Sequence, residues 1–238
     1  MSNKIVFSSP FKGVISEPKP SLVHVPKAYK DLQPFVEGSA VNATVKKCIP
    51  FLDALTTGYI IPFPVDIEVT VDEKEKSINF KAHPMLSNNY SDLIGVAEHG
   101  EFQMPSNLRN PERTIDHVFK FLNPWTVKTP PGYSCLFVTP LNHVLPFDLI
   151  SGVIDTDTFP LNTHFPFYWT GKLGQRTLIK EGSPMAMVLP FRRESWKMET
   201  KLCNLNLSGP KKDLMFLDIF KTIADNYKNR FWRKKSYR

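Results

Sequence analysis

The sequence is poor in cysteine and has no long hydrophobic run. Its 238 residues include three cysteines without a Cys-x-x-Cys pair, so neither a disulfide framework nor a structural zinc site is indicated. We expect buried free thiols at Cys48, Cys135 and Cys203. No stretch approaches the roughly 18 uncharged apolar residues of a membrane helix, and the first residues lack the apolar segment of a secretory signal. These absences predict a cytoplasmic protein, and no cofactor is indicated.

Acidic residues are missing from the C-terminal end. Six basic residues and no acidic one fall within 226–238, so this segment accounts for nearly all of the net charge of +7. Aromatic residues are interleaved with the basic ones, a pattern that can bind single-stranded nucleic acid. Alternatively, the aromatic side chains pack inward and only the charges reach solvent. The candidate binding residues are Arg230, Trp232, Arg233, Lys234 and Lys235.

Short apolar segments separated by Pro, Gly, Asn and Asp dominate the rest, most regularly over 129–193. This spacing predicts a mainly β fold, with a core of short strands arranged as a β-clip, barrel or jelly roll. We divide the chain into a proline-rich extended arm (1–44), a β-rich core domain (45–207) and a C-terminal helix with a basic end (208–238).

Local patterns predict individual elements. Residues 45–58 predict a short helix with Pro50 in its first turn and Gly58 as its cap, followed by an edge strand over 59–64. Period-two alternation on both sides of a polar link at 72–77 predicts a β-hairpin. Apolar residues spaced three and four apart predict an amphipathic helix over about 211–233. We also expect a surface excursion over 83–112, a strand broken at Pro124 over 118–127 and another strand over 196–207.

Two carboxylates form the most distinctive candidate site. Asp155 and Asp157 lie two residues apart, so on an extended chain they face the same side and can share a hard cation. His143 or His164 could complete a mixed histidine and carboxylate site of the cupin type. Alternatively, the aspartates cap the turn after a core strand by accepting backbone N–H groups. Three further histidines, His83, His99 and His117, have spacings that fit no metal motif.

Three segments carry a resemblance to an uncharacterised family of bacterial and phage proteins. They are Thr-Pro-Pro-Gly-Tyr at 129–133, Gly-Val-Ile-Asp-Thr-Asp at 152–157, and Gly-Ser-Pro at 182–184 before an apolar strand and Arg192. The resemblance implies a phage-type protein and no known activity.

The order of these segments also resembles the β-clip domain of dUTPases. Four segments follow one another in the same order as in that family. They are a Pro-Gly turn at 131–132, a segment at 139–143 in the place of the phosphate motif, the acidic segment at 152–157 and a glycine segment at 182–187. The resemblance assigns the water-positioning carboxylate to Asp155. However, Thr158 replaces the expected Tyr, Asn142 and His143 replace Arg-Ser, and no Gly-rich C-terminal segment is present. The groups that would stabilise the phosphate charge during triphosphate hydrolysis are therefore missing from these motifs.

Two functions remain open. We expect a phage-type binding or assembly protein without catalysis. It would contact protein partners or further copies of itself, and its basic tail could contact nucleic acid, but it would not bind a membrane. The alternative is a small-molecule or nucleotide-directed enzyme that uses Asp155, Asp157 or His143, with or without a metal, on a dUTPase-like or cupin-like scaffold.

Overall fold

The structure is a computed structural model that describes residues 4–74, 77–82, 93–104, 117–202 and 225–238. The strands are β1 (Val6–Ser8), β2 (Lys19–Pro20), β3 (Tyr59–Pro62), β4 (Ile67–Asp72), β5 (Ser77–Ala82), β6 (Gly95–Glu98), β7 (Phe119–Leu122), β8 (Thr126–Lys128), β9 (Tyr133–Val138), β10 (Phe147–Leu149), β11 (Gly152–Ile154), β12 (Phe165–Trp169), β13 (Arg176–Ile179) and β14 (Pro184–Arg192). The α-helices are α1 (Lys27–Asp31), α2 (Ile49–Thr56) and α3 (Asn226–Arg230), with 3-10 turns at Ser21–His24, Val45–Lys47 and Glu101–Gln103. The described chain is mainly β, as predicted. None of its helices has the length and apolar character needed to cross a membrane.

The described strands form antiparallel sheets. Their orders are β11-β9-β14-β3-β2, β10-β12-β7-β6, β13-β4-β5 and β1-β8. The first three sheets direct buried side chains into one shared hydrophobic cluster. Each sheet therefore covers the apolar face of another, which is how a β fold removes such faces from water.

The hairpin predicted around residues 72–77 is confirmed as β4 and β5. Ile67 pairs with Ala82 and Asp72 with Ser77. Every second residue of β4 is buried, and Ile67, Val69 and Val71 are each at most 3% exposed. The two-residue period of a strand places these three side chains on one face, which explains why the sequence pattern was sufficient here.

Aromatic side chains fill the centre of the shared core. Phe121 in β7 is fully buried, and its ring stacks on that of Phe167 at 3.7 Å with an interplanar angle of 4°. The rings of Phe63 and Phe147 each meet the Phe121 ring edge-on at 4.9 Å. The predicted break at Pro124 is also confirmed, because β7 ends at Leu122 and β8 begins at Thr126.

The predicted helix over 45–58 is confirmed as a 3-10 turn followed by α2. Pro50 lies in its first turn, and Gly58 follows it with a φ of +68°. The next segment is not an edge strand, however. β3 pairs with β14 on one side and β2 on the other. Pro62 is accommodated because the register of β14 shifts opposite it.

Residues 4–44 are more regular than the proline content predicted. They contain β1, β2, α1 and a 3-10 turn, and Phe11 and Ile15 belong to the main core. Pro26 immediately precedes α1, where its missing N–H costs no helical hydrogen bond. The prolines thus begin and end short elements instead of preventing them.

The predicted C-terminal helix is only partly covered by the described residues. Residues 203–224, which include Cys203, lie outside them, as do His83 and most of the predicted excursion. The described helix α3 starts after Asp225, whose φ of +57° is left-handed, and ends at Arg230. A continuous helix through residue 225 to residue 233 is therefore not observed. Residues 196–202 form no strand.

Candidate functional site

Two of the three segments that carry the resemblance, the turn at 129–133 and the acidic segment at 152–157, meet the C-terminal end of β14 at one end of the five-stranded sheet. Ile154 at the end of β11 pairs with Cys135 in β9, and Arg192 at the end of β14 pairs with Tyr133, the first residue of β9. The turn at 129–132 leads into β9 from the same end. Antiparallel pairing on both sides of β9 therefore brings the turn, the acidic segment and the residue after β14 together.

Arg193 joins these segments. Its guanidinium forms a two-point contact with the Asp157 carboxylate, in which Nη1 lies 2.8 Å from Oδ1 and Nη2 bonds to Oδ2. The same guanidinium lies 3.3 Å from Oδ1 of Asp155 and donates to the Tyr133 carbonyl at 3.0 Å. A planar guanidinium suits this paired geometry, which a lysine could not reproduce.

A backbone N–H and a hydroxyl group also donate to the two aspartates. The N–H of Gly132 donates to Asp157 Oδ2 at 2.8 Å, and the Ser134 hydroxyl donates to Asp155 Oδ1 at 2.6 Å. The Asp157 side chain is only 6% exposed, whereas that of Asp155 is 61% exposed. Hydrogen bonds from Arg193 and then from Gly132 hold the pKa of Asp157 far below its usual range.

A buried polar layer lies beneath this ion pair. The hydroxyls of Thr129 and Thr156 are 2.7 Å apart, and that of Thr156 also donates to Cys135 Sγ at 3.3 Å. Burial raises the pKa of the Cys135 thiol, opposed by the Thr156 hydrogen bond. Cys135 is thus a buried free thiol, as predicted, while Cys48 is exposed, contrary to prediction.

The histidines proposed to join the aspartates have other surroundings. His164 Nδ1 accepts the N–H of Asn123 at 3.1 Å, and burial lowers the pKa of this imidazole. His143 lies next to Asn142, whose side-chain amide donates to the Phe51 carbonyl of α2. Within the described residues, no three His, Cys, Asp or Glu side chains converge on a metal position. The arrangement around Asp155 and Asp157 resembles a capped turn more than a cation site, because a guanidinium occupies the space between their oxygens.

His143 has a second histidine as its electrostatic neighbour. Burial, followed by the charge of His24, lowers the pKa of His143. Burial and then Lys19 and Lys30 lower the pKa of His24. The Nε2 atoms of both are buried and have no hydrogen-bond partner among the described residues. Burial therefore favours the neutral form of both imidazoles.

The tail at 231–238 folds back onto α2. Trp232 Nε1 donates to both oxygens of Asp53, at 3.1 and 3.0 Å, and Lys235 forms an ion pair with the same carboxylate. The Thr57 hydroxyl donates to the Tyr237 hydroxyl at 2.9 Å. Two of the five candidate binding residues are thus bonded to the body, and Arg233 and Lys234 are exposed.

A cleft of about 480 Å³ lies where α3 faces the start of α2. The exposed Cys48 lines it, together with Val45 and Tyr227. An ion pair of 2.9 Å between Lys47 and Asp225 joins its two walls. The cleft is thus formed by α3, the residue before it and the N-terminal half of the chain together.

Sequence reasoning missed Arg193 and Asp53. The family resemblance pointed to Arg192, which instead lies 3.8 Å from Glu194 with a side chain that is 70% exposed. Adjacent residues at the end of β14 face opposite sides, but choosing between Arg192 and Arg193 requires the register of β14 on β9. Asp53 carried no signal, since its partners lie almost 180 residues away along the chain.

The chain matches no known protein family, and no curated protein is significantly similar to it in sequence.

The two arginines at the end of β14 should differ in importance. We expect Arg193→Ala to lower the melting temperature at pH 7 clearly more than Arg192→Ala, because only Arg193 neutralises a nearly buried carboxylate. Because the pKa of Asp157 is lower in the folded state, its ion pair with Arg193 stabilises the fold fully above the ordinary pKa of 3.8. This stabilisation is lost as the pH falls toward the pKa of the folded state. Thermal melts of both variants across this pH range test the prediction, and equal melting temperatures at pH 7 would contradict it.

Proposed function

We propose that this protein is a phage-type binding and assembly protein without catalysis, built on a β-clip or jelly-roll-like core. The observation that carries the proposal is the segment 194–202, which leaves the end of β14 with all its residues exposed. Trp196, Met198 and Leu202 are 87%, 87% and 92% exposed. Large apolar side chains so fully in water, and so close together, are typical of surfaces that a partner covers.

The acidic segment supports the same proposal. A catalytic carboxylate must be available to a substrate or to a metal, but Asp157 is paired with Arg193 and nearly buried. Asp155 keeps an exposed side chain, yet one of its oxygens accepts from Ser134 and faces Arg193. These contacts favour a role in holding the turn at 129–132 against the sheet.

Association in solution tests the assembly proposal. We expect the mass of the full chain, measured by light scattering and sedimentation velocity, to rise with protein concentration. A Trp196→Ser and Leu202→Ser double variant should remain monomeric, whereas Phe102→Ser, which changes another exposed apolar residue, should behave like the unchanged chain. A chain that is monomeric at every concentration would refute assembly of identical copies.

Ligand stabilisation tests the alternative of an enzyme. Thermal melts of the unchanged chain and of Asp155→Asn, with and without deoxyuridine triphosphate and Mg²⁺, should show no ligand-dependent shift. A shift that occurs in the unchanged chain and disappears in Asp155→Asn would restore the enzyme hypothesis.

A second candidate function, binding of single-stranded nucleic acid, is favoured by the docked tail. The contacts of Trp232 and Lys235 with Asp53 fix the backbone of this segment, and the side chains of Arg233 and Lys234 between them remain exposed. Cations displayed in this way can contact successive phosphates.

Salt dependence of binding tests this second function. For a fluorescent oligodeoxythymidine, the slope of log K against log salt should fall by up to ~1.4 in an Arg233→Ala and Lys234→Ala double variant, because each phosphate contact on a single strand contributes ~0.7. The charge-matched control is the Lys27→Ala and Lys30→Ala double variant, which should keep the slope. Equal slopes in both double variants would exclude the tail as the binding site.

A further inference from the structure

The segment 194–202 has the pattern of a strand without a partner. Alternation places Trp196, Met198 and Leu202 on one side and Lys197, Glu199 and Lys201 on the other. Among the described residues, no backbone hydrogen bond joins this segment to the rest of the chain. Within the described part of the chain, its N–H and C=O groups therefore have no backbone partner, and an unpaired strand of this kind can pair with another strand.

The charges of the segment are self-complementary. Lys197 and Glu199 lie on the polar side, one residue before and one residue after Met198. If two copies of the segment pair in antiparallel fashion about a twofold axis at Met198, Lys197 of each copy faces Glu199 of the other. Opposite charges directly across an antiparallel pair are stabilising, and the twofold axis creates this pair twice.

We propose that two copies of this chain dimerise through their 194–202 segments, paired antiparallel about Met198. The inference rests on the proposed assembly function and names its partner as a second copy of the chain. The apolar sides of both segments then lie on one face of a two-stranded ribbon, with Trp196 of each copy opposite Thr200 of the other.

Other registers fit the charges less well. If the axis lies at Glu199, the Glu199 carboxylates of the two copies face each other and Lys197 faces Lys201. If the axis lies at Lys197, the Lys197 ammonium groups of the two copies face each other. An axis between two residues turns the apolar side of one copy against the polar side of the other. An axis at Thr200 pairs Glu199 with Lys201 but keeps only residues 198–202 of the described segment in the overlap. The Met198 register alone pairs all nine residues 194–202 without a clash of like charges.

The five-stranded sheet offers the ribbon a surface to cover. A two-stranded ribbon by itself is marginally stable in water and needs packing against another apolar surface. Phe191, three residues before the segment begins, is 40% exposed, and Val153 in β11 is 61% exposed. Val153 lies opposite Leu136 in β9, which in turn lies opposite Leu189 in β14. Since Phe191 is two residues beyond Leu189, Val153 and Phe191 are on the same face of this sheet.

Charge reversal tests both the pairing and its register. Lys197→Glu should weaken dimerisation by about tenfold, because two opposite-charge pairs become two like-charge pairs. Adding Glu199→Lys should restore it, since the pairs are then reversed but complementary. Lys201→Glu is the control with the same change of charge. It removes an ion pair of 3.4 Å between Lys201 and Glu199 of the same copy, but it creates no like-charge pair across the axis because Lys201 faces Ser195, so its effect should be clearly the smaller one. Each dissociation constant is measured by sedimentation equilibrium on the full chain.

Crosslinking supplies a second measurement that does not depend on affinity. In a Cys48→Ser and Cys203→Ser background, Met198→Cys should form a disulfide-linked dimer on oxidation, because this residue faces its own copy across the axis. Ser195→Cys, which lies far from its own copy, should not.

The outcomes separate this inference from the proposed function. If the unchanged chain associates but Lys197→Glu and Lys201→Glu weaken it equally, or Met198→Cys does not crosslink, the pairing is refuted and assembly stands. If the unchanged chain is monomeric throughout, assembly and pairing are both refuted. Selective loss in Lys197→Glu with recovery in the double variant supports the pairing.

Discussion

Replacing Phe121 with alanine should lower the free energy of unfolding by about 3–5 kcal/mol, the range for removing a fully buried aromatic ring. Phe121 has no exposed surface, and the rings of Phe63, Phe147 and Phe167 pack around it. These partners come from three separate strands or strand ends, so they cannot all move to fill the space. The loss includes both the burial of the ring and the cavity that remains.

Urea unfolding followed by tryptophan fluorescence measures this effect. The measurement is made on the dilute protein so that association does not contribute. Phe102→Ala is the control, because that ring is 85% exposed and its removal should change stability by less than about 0.5 kcal/mol. A similar small change for Phe121→Ala would mean that the centre of the core is not where the four rings meet.

Gly58→Ala should destabilise the chain by about 2 kcal/mol or more. The φ of +68° at this position costs a non-glycine residue roughly 1–2 kcal/mol. A Cβ atom would also overlap the carbonyl oxygen of Val188 and lie 2.7 Å from Cδ2 of Leu189. The backbone of β14 is held on both sides by β3 and β9 and cannot move away, so the clash adds to the cost of the conformation.

A matched glycine separates these two contributions. Gly38 also has a positive φ, of +75°, but a Cβ atom there would meet no other atom within 4 Å. Gly38→Ala should therefore show only the conformational cost. Equal losses in Gly38→Ala and Gly58→Ala, measured by the same urea unfolding, would show that β14 yields to the added methyl group.

The parts of the fold that depend on neighbouring residues could be predicted from the sequence. The β4–β5 hairpin follows from alternation within sixteen residues of chain, and α2 from the positions of Pro50 and Gly58. Elements determined by distant contacts could not be predicted. β3 was predicted as an edge strand, but pairing with β14, more than 120 residues later, and with β2 places it inside a sheet.

The candidate site also has a part that could be predicted from neighbouring residues and a part that could not. The sequence identified Asp155 and Asp157 and the possibility that they cap a turn, because their spacing is local. It could not identify Arg193 as their partner, since that assignment needs the register of β14 on β9. A strand was predicted over 196–207, of which residues 196–202 are described. These residues form no strand within the described chain, and a second copy of the chain is the partner that would complete one.

The contacts of the tail also bear on the order in which the protein folds. Trp232 and Asp53 are separated by 179 residues, Tyr237 and Thr57 by 180, and Lys47 and Asp225 by 178. Contacts that close such long loops carry a large entropic cost and form late, after local hairpins have reduced the freedom of the intervening chain. We therefore expect the tail to dock on α2 as one of the last steps of folding. Under native conditions, amide hydrogens of residues 231–238 should exchange well before those of β9 and β14.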